Sequence, residues 1–481
     1  MIKENASIFK FDINALTGLM ILSLPASVKF FFASLNTEVI YPAEILIGIL
    51  AVFFFYNLIF KKQNSFLSDK SFLKHPLTIL VFIYLAVNIL SAFFSTMHLV
   101  SLKALIVKCC YVLVFYFMMQ PLIKSSINSF AEIFKIYGLS LSLVVVYALI
   151  DHFQIGLSRG NSNFASYPFF NDHTIYGAAL AFLIPAFLSF SFYAKVFEIN
   201  RSKLIPIVFV TLLFIIGLYF SFCRAAWISI IAALILFLLV ITGMRFRGFI
   251  FLLIALLLAG FFSRHLIVES FKKNKIDSNI DKAGLYEQVF SLTNITNDLS
   301  NVERLNRWSC AMRMFRDKPF LGFGPGTYQF KYLSYQRKEE MTFISMKEPL
   351  KAGGNTYSWS LSKGLRVPSD YSAIQGNGGS AHSEYFLALS ETGIFSFLIF
   401  VSFFVVSLYI ILKIFSKSPD KKIKVIAMFA LLGLTTYYVH ALFNNFLDDG
   451  KLAFLFWCSL SAIAALDKIS SQISVEETKV F

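Results

Sequence analysis

The chain is dominated by recurrent apolar runs of about 20 residues, the length that an α-helix needs to cross a bilayer. Hydrophobic residues fill 57% of its 481 positions and charged residues only 15%, a more apolar composition than soluble domains have. We therefore predict an all-α polytopic membrane protein of about 12 transmembrane helices. The predicted spans are residues 14–33, 39–60, 76–96, 101–122, 130–150, 173–194, 203–222, 225–243, 248–266, 392–412, 423–444 and 452–467.

The basic residues indicate how these spans are oriented. Nineteen lysines and arginines fall in the segments that share a side with the N-terminus, whereas the opposite short loops hold only Arg159, Arg224 and Lys451. Cytoplasmic loops collect positive charge, so both termini are predicted to be cytoplasmic. The net charge of +15 is thus explained by topology, and we expect membrane lipids and no nucleic acid among the partners.

A hydrophilic stretch of about 125 residues separates the ninth and tenth predicted spans. It divides the chain into spans 1–9 (residues 1–266), an extracytoplasmic loop domain (267–391), and spans 10–12 with a cytoplasmic tail (392–481). Apolar residues at helical spacing predict helices at 303–317 and 381–391 within the loop. The Gly-, Ser- and Asn-rich segment 352–380 between them is predicted to be a mobile connection.

Arg224 lies where one predicted span ends and the next begins. An arginine at membrane depth costs about 2.5–3.5 kcal/mol on insertion scales, so it is usually retained for a reason. One interpretation is a guanidinium that reaches the interface beside Trp227. The other is a diphosphate ligand, because the planar guanidinium matches phosphate oxygens.

Arg304 and His382 are the two candidate functional residues of the long loop. Arg304 precedes Trp308 by four residues and so shares a helix face with its indole; the alternative is a surface arginine paired with Glu303 or Asp317. His382 stands immediately before the tenth span, where a neutral imidazole can accept a proton from a sugar hydroxyl. The alternative for His382 is a packed, hydrogen-bonded residue without a catalytic role.

The remaining motifs predict neither a nucleotide site nor a metal site. The Gly-rich segment Gly322–Gly326 lacks the Lys-Ser/Thr continuation of a phosphate loop and contains Pro325, so it is predicted to be a turn. No acid pair has the spacing of a divalent-cation site, and the five cysteines form no zinc or disulfide pattern. We expect no cofactor. Arg159, His173 and Asp449 are additional candidate residues on the same side of the membrane.

Together these motifs resemble the O-antigen ligase and polymerase superfamily of lipid-linked polysaccharide enzymes. The likeness covers about residues 155–400 and departs from the family pattern at Cys223, Ile228 and Ser383. It is carried by Arg159-Gly160, Asn171-Asp172-His173, Ser221-x-x-Arg224-Ala-Ala-Trp227, Arg304-x3-Trp308, Asp317-Lys-Pro-Phe-Leu-Gly-Phe-Gly-Pro-Gly326, His382-Ser-Glu-Tyr-Phe386 and Glu391-Thr-Gly393.

The resemblance implies twelve helices with a large periplasmic loop between the ninth and tenth, in the bacterial inner membrane. It implies an enzyme that takes glycan from undecaprenyl diphosphate without metal or nucleotide, with Arg224 and Arg304 binding the diphosphate and His382 acting on the acceptor hydroxyl. Our hypothesis is a metal-independent, inverting O-antigen ligase that uses lipid A-core as acceptor. The alternatives are an O-antigen polymerase or protein O-oligosaccharyltransferase with the same donor, and a polysaccharide-lipid transporter.

Overall fold

The structure, a computed structural model, describes residues 13–32, 37–60, 69–262, 299–337 and 379–480. Ten of the described helices are long and apolar enough to cross a membrane. Two shorter apolar helices, Ile13–Ala26 and Phe246–Phe262, lie where the first and ninth spans were predicted. The prediction of an all-α polytopic membrane protein is confirmed.

The helices are numbered here in chain order. The amino-terminal set comprises α1 Ile13–Ala26, α2 Ala43–Phe60, α3 Lys70–Leu73, α4 Pro76–Phe93, α5 His98–Val112, α6 Met119–Ser125, α7 Ile127–Ile155, α8 Arg159–Ala165, α9 His173–Phe192, α10 Arg201–Phe220, α11 Arg224–Ile241 and α12 Phe246–Phe262. The carboxy-terminal set comprises α13 Leu299–Asp317, α14 Tyr328–Tyr335, α15 Glu384–Glu391, α16 Gly393–Lys417, α17 Lys421–His440 and α18 Gly450–Val480.

Two local features depart from the predicted helices. Strands β1 (Val28–Phe32) and β2 (Thr37–Tyr41) form an antiparallel hairpin after α1, so the first predicted span, 14–33, runs past the helix into β1. An apolar strand has the same hydropathy as an apolar helix, and a hydropathy reading does not distinguish them. A π-helical turn, Leu113–Phe117, lies between α5 and α6 inside the fourth span.

The centre of the bundle is formed by α9, α17 and α18. Of the residues in their apolar segments, 72%, 89% and 83% are buried inside the protein. The corresponding shares are 22% for α10 and 28% for α11. Helix α17 packs against α9, α11, α16 and α18. At one such contact Gly433 lies directly against the ring of Phe182, where a Cβ would approach to 2.6 Å. These close contacts place the end of α17 beside the starts of α9 and α11.

The described part of the long loop packs over one end of the bundle. Helix α13 contains the whole of the predicted 303–317 segment, and α15 begins three residues later than the predicted 381–391 segment. The Gly-rich segment between α13 and α14 is a turn, as predicted, with positive φ at Gly322, Gly324 and Gly326. The connection predicted at 352–380 lies outside the described residues except for its last two. The domain division at 266 and 391 stays a prediction.

Candidate active site

Two helix starts face a common space at the end of the bundle. Helix α9 begins at His173 and is capped by Asp172, whose Oδ1 accepts hydrogen bonds from the backbone N–H groups of Thr174 (2.6 Å) and Ile175 (3.1 Å). Helix α11 begins at Arg224, after a residue in the left-handed region, Phe222 (φ +49°). The break predicted between the seventh and eighth spans therefore places Arg224 at a helix N-terminus, where the helix dipole favours anions.

Helix α13 brings a second arginine to this space. Arg304 donates from Nε to the carbonyl oxygen of Phe443, 3.2 Å away in the connection that follows α17. Glu303 instead accepts a hydrogen bond from Arg307 in a buried ion pair of 2.8 Å, and Arg307 also donates to the carbonyl of Ser380 at 2.8 Å. The neighbouring arginines thus have different contacts: Arg307 joins α13 to the segment before His382, and Arg304 contacts the bundle.

His382 is held in an uncommon backbone conformation. Its φ is +48°, a value that non-glycine residues adopt rarely and that costs energy unless surrounding contacts enforce it. Its carbonyl oxygen accepts a hydrogen bond of 3.3 Å from the indole N–H of Trp308, and its backbone N–H donates to Ser380 Oγ at 3.3 Å. The indole in turn stacks on Phe386. Arg304 and Trp308 lie four residues apart on α13. The helix that carries Arg304 therefore also contacts the backbone of His382, through Trp308.

The residue pair after His382 attaches this segment to the α17–α18 connection. Ser383 Oγ donates to the carbonyl of Ala441 at 3.3 Å, and the backbone N–H of Glu384 donates to the carbonyls of Ala441 (2.9 Å) and Asn444 (3.2 Å). The carboxylate of Glu384 accepts from the N–H of Phe446 at 2.9 Å. Glu391, at the other end of α15, accepts from the N–H groups of Gly326 (2.9 Å) and Tyr328 (3.0 Å). The two carboxylates fix α15 to both of its neighbours.

A cavity of about 230 Å³ opens between these elements. Its lining combines three guanidinium groups, an imidazole and a buried amide. The polar residues that matter for the chemistry are Arg159 at the start of α8, His173, Arg224, Arg304 and Asn444, with Phe443 beside them. Such a concentration of cations at two helix N-termini is suited to a phosphorylated ligand with several negative charges.

The electrostatic setting keeps the imidazole of His382 neutral. Burial and the charges of Arg307 and Arg304 lower the pKa of His382 to about 3, although Asp172 and a hydrogen bond with Asn444 oppose the shift. Burial also raises the pKa of the Cys223 thiol to about 12, so that this cavity-lining side chain is uncharged. The fixed charge of the cavity therefore comes from its arginines, and His382 is available as a proton acceptor.

Two predicted site residues do not line the cavity: His382, which lies in the segment beside it, and Asp449, which lies elsewhere. Asp449 precedes α18 and accepts a hydrogen bond of 2.9 Å from the backbone N–H of Lys451. The ammonium of Lys451 donates to the carbonyls of Pro25 and Ser27 at the end of α1. Asp449 thus belongs to the junction of α18 with α1, and it does not line the cavity. Among the described residues, no group of three or more His, Cys, Asp and Glu side chains is arranged to hold a metal ion.

The residue that sequence reasoning missed is Asn444. It lies in the connection after α17, is 5% exposed and lines the cavity with Arg224 and Arg304. The available signal was a pair of amides, Asn444 and Asn445, at the end of an otherwise apolar span. A pair of amides at a span end is also typical of an ordinary solvated connection, and only the contacts with α13 and α15 distinguish the two.

Comparison with known proteins identifies a related family. A family model described as O-antigen ligase matches residues 208–346, less than a third of the chain. The match includes Arg224 and Arg304 and ends before His382. The prediction that the chain resembles the O-antigen ligase superfamily is thereby confirmed; that family consists of glycosyltransferase-like enzymes that act on lipid-linked glycans. A search of curated proteins finds no match to the chain.

Proposed function

We propose that this chain, which matches the O-antigen ligase family model, transfers a polysaccharide from undecaprenyl diphosphate to a sugar hydroxyl of lipid A-core. The reaction would take place at the periplasmic face of the bacterial inner membrane, with both termini in the cytoplasm. The observation that carries the proposal is the convergence of Arg159, Arg224 and Arg304 on one cavity beside the segment that holds His382.

The proposed step is a single inverting displacement. The acceptor oxygen forms a bond to the anomeric carbon of the donor sugar while the bond from that carbon to the phosphate oxygen breaks. The electron pair of the broken bond goes to the diphosphate, and the hydroxyl proton goes to the neutral imidazole of His382. The products are a glycoside of opposite anomeric configuration and undecaprenyl diphosphate.

The arginines supply the largest stabilisation in this proposal. The diphosphate gains negative charge as the glycosidic bond breaks, and preorganised cations in a water-poor site stabilise that charge in the transition state. Guanidinium groups can provide here what a divalent cation provides in other transferases, so we propose that transfer is metal-independent. The bound diphosphate would also offset the charge of Arg304 and so strengthen His382 as a base in the complex.

Arg159 extends this binding surface to a third element of the bundle. It begins α8, whose N-cap Ser158 accepts from the N–H of Asn161 at 3.3 Å, and it lines the cavity together with Arg304 of α13. We assign Arg159 and His173 to the donor side, where they would contact the diphosphate or the first sugar. We do not assign Asp449 a part in the reaction, because it lies at the α18–α1 junction.

The test is reconstitution of the purified full chain in liposomes with a chelator and a lipid-linked glycan donor. One arm receives lipid A-core as acceptor, and the other receives only more lipid-linked repeat. Growth of lipid A-core by the transferred glycan, with release of undecaprenyl diphosphate, supports the ligase. Growth of the lipid-linked chain would establish a polymerase instead, and movement of the donor across the bilayer without a new glycosidic bond would establish a transporter.

A further inference from the structure

The cavity wall contains one buried polar group that the proposed reaction leaves unexplained. Asn444 is 5% exposed, and within the described part of the chain its amide Nδ2 has no hydrogen-bond partner. A buried donor without a partner is destabilising, and such exceptions in native proteins are often functional. Since the amide lines the cavity, a ligand in the cavity is positioned to satisfy it.

The backbone of Asn444 is fixed on both sides. Its N–H donates to the carbonyl of His440 at 3.2 Å, and its own carbonyl accepts from the N–H of Glu384 at 3.2 Å. The carbonyl of the preceding residue, Phe443, accepts from Arg304 Nε. The side chain of Asn444 is therefore held between one proposed diphosphate ligand and the segment that carries His382.

The other end of the amide contacts the imidazole. The side chains of Asn444 and His382 share a hydrogen bond that raises the pKa of His382. Because Nδ2 has no hydrogen-bond partner among the described residues, the contact with the ring uses Oδ1, which can only accept and therefore takes a ring N–H. An amide has one acceptor and two donors; with Oδ1 directed to His382, the two donors on Nδ2 remain for the cavity.

We propose that Asn444 is a positioning residue that accepts the ring N–H of His382 through Oδ1 and donates from Nδ2 to a phosphate oxygen of the lipid diphosphate. This inference rests on the proposed function and names a further residue of the same site. Fixing one ring nitrogen as the donor leaves the other unprotonated, and that second nitrogen receives the proton of the acceptor hydroxyl.

One planar group would then set the distance between the base and the leaving group. Reactions in which both groups are held in place are much faster than those of freely diffusing groups. The charges that face His382 are Arg304 and Arg307 on α13 and Asp172 before α9. A neutral amide fits between them because it orients the imidazole without adding a charge that would repel the diphosphate.

The kinetic test compares Asn444→Ala and Asn444→Asp with the matched controls Asn445→Ala and Asn445→Asp in the reconstituted transfer reaction. Asn444→Ala should lower kcat about 10- to 100-fold. In Asn444→Asp the carboxylate still accepts the ring N–H but raises the pKa of His382, so kcat/KM should decline as pH falls from 7 to 5. The same carboxylate should raise the KM for the lipid donor about tenfold.

The two controls and the wild-type protein should show no such decline. A flat profile with wild-type rates for both Asn444 variants, or the same decline in Asn445→Asp, would overturn the inference. Both Asn444 variants keep the backbone hydrogen bonds to His440 and Glu384. If Asn444→Ala does not fold, the near-isosteric Asn444→Asp alone decides the result through its pH profile.

A second measurement does not require turnover. In protein labelled with ¹⁵N-histidine and held in liposomes, the NMR signal lost in His382→Gln identifies the His382 ring. A single neutral tautomer in the wild-type protein and a mixture of tautomers in Asn444→Ala support the positioning role. An unchanged single tautomer in Asn444→Ala contradicts it, even if transfer is observed. Absence of transfer by the wild-type protein would contradict the proposed function alone, and the tautomer result would still decide the inference.

Discussion

The guanidinium of Arg304 donates from Nε to the carbonyl oxygen of Phe443 at 3.2 Å, and this contact joins the polar helix α13 to the segment that follows the buried helix α17. Arg304 also lines the cavity, so this contact holds its guanidinium there. The hydrogen bond therefore fixes both the position and the orientation of the planar guanidinium group.

We expect Arg304→Lys to lose most of the transfer activity although the charge is conserved. Lysine has no Nε–H donor at the right distance for Phe443 and presents a point charge in place of a planar fork. A decrease in kcat/KM of about 10²–10³-fold corresponds to the loss of one preorganised donor in other enzymes. The assay is glycan transfer in liposomes, with Arg316→Lys, an exposed position on the same helix, as control. Equal activity of the two variants would contradict a specific role for Arg304.

For His382 we expect a pH profile without the acidic decline of an ordinary histidine. Its pKa is lowered to about 3 by burial and by Arg307 and Arg304, so the free enzyme holds the neutral imidazole throughout the range from pH 5 to 8. The value of kcat/KM, which reports the free enzyme, should therefore show no decline near pH 6.5. His382→Gln should lower kcat by about 10²–10⁴-fold at every pH in this range. A profile that falls with a midpoint near 6.5 would show that the imidazole is not in the setting described.

Glu391 offers a test of how the loop is fixed to the bundle. Its two carboxylate oxygens accept from the backbone N–H groups of Gly326 and Tyr328. A glutamine side chain has one acceptor oxygen, so it can keep only one of these hydrogen bonds, and its NH₂ group would face the other N–H donor. Glu391→Gln should therefore destabilise the protein by about 1–3 kcal/mol, seen as a lower unfolding temperature in detergent. Glu132→Gln, whose side chain is 58% exposed, is the control and should unfold at the wild-type temperature.

The same residue gives stability a pH dependence of defined sign. Burial raises the pKa of Glu391 from 4.5 to about 7, and hydrogen bonds from Tyr328 and Gly326 only partly oppose it. The folded protein thus binds this proton more tightly than the unfolded chain, and the associated stability is fully present below pH 4.5 and is lost as pH rises through 7. We expect the wild-type unfolding temperature to fall between about pH 4.5 and 7 and Glu391→Gln to lose part of that fall. An identical fall in both proteins would contradict the assignment.

Hydropathy and charge placement predicted the membrane fold because both depend on composition over about 20 residues. Because hydropathy is averaged over about 20 residues, it did not predict the strand β1 or the π turn. Phe30 and its neighbours in β1 are as apolar as the helix before them, and the π turn at Leu113–Phe117 changes no hydropathy. These features depend on local backbone hydrogen bonds, which an apolar run does not encode.

Sequence alone marks a candidate site residue where its type is unusual at its position. Arg224 at a membrane break and His382 before a span are unusual in themselves, so the sequence marked them without a structure. Asn444 and Glu391 are ordinary residue types, and their roles come from contacts with segments far away in the chain. Asp449 shows the opposite case: its position in an outer loop suggested a site residue, and the structure places it against Lys451.

The central claim is that Arg224 binds the diphosphate of a lipid-linked glycan donor, and one measurement tests it most directly. Wild-type and Arg224→Ala proteins, inserted to equal levels in liposomes with a chelator, are given the same donor and lipid A-core. We predict transfer by the wild-type protein and a decrease of at least about 100-fold in Arg224→Ala, with Arg201→Ala at the other end of α10 remaining active. Full transfer by Arg224→Ala would contradict the account.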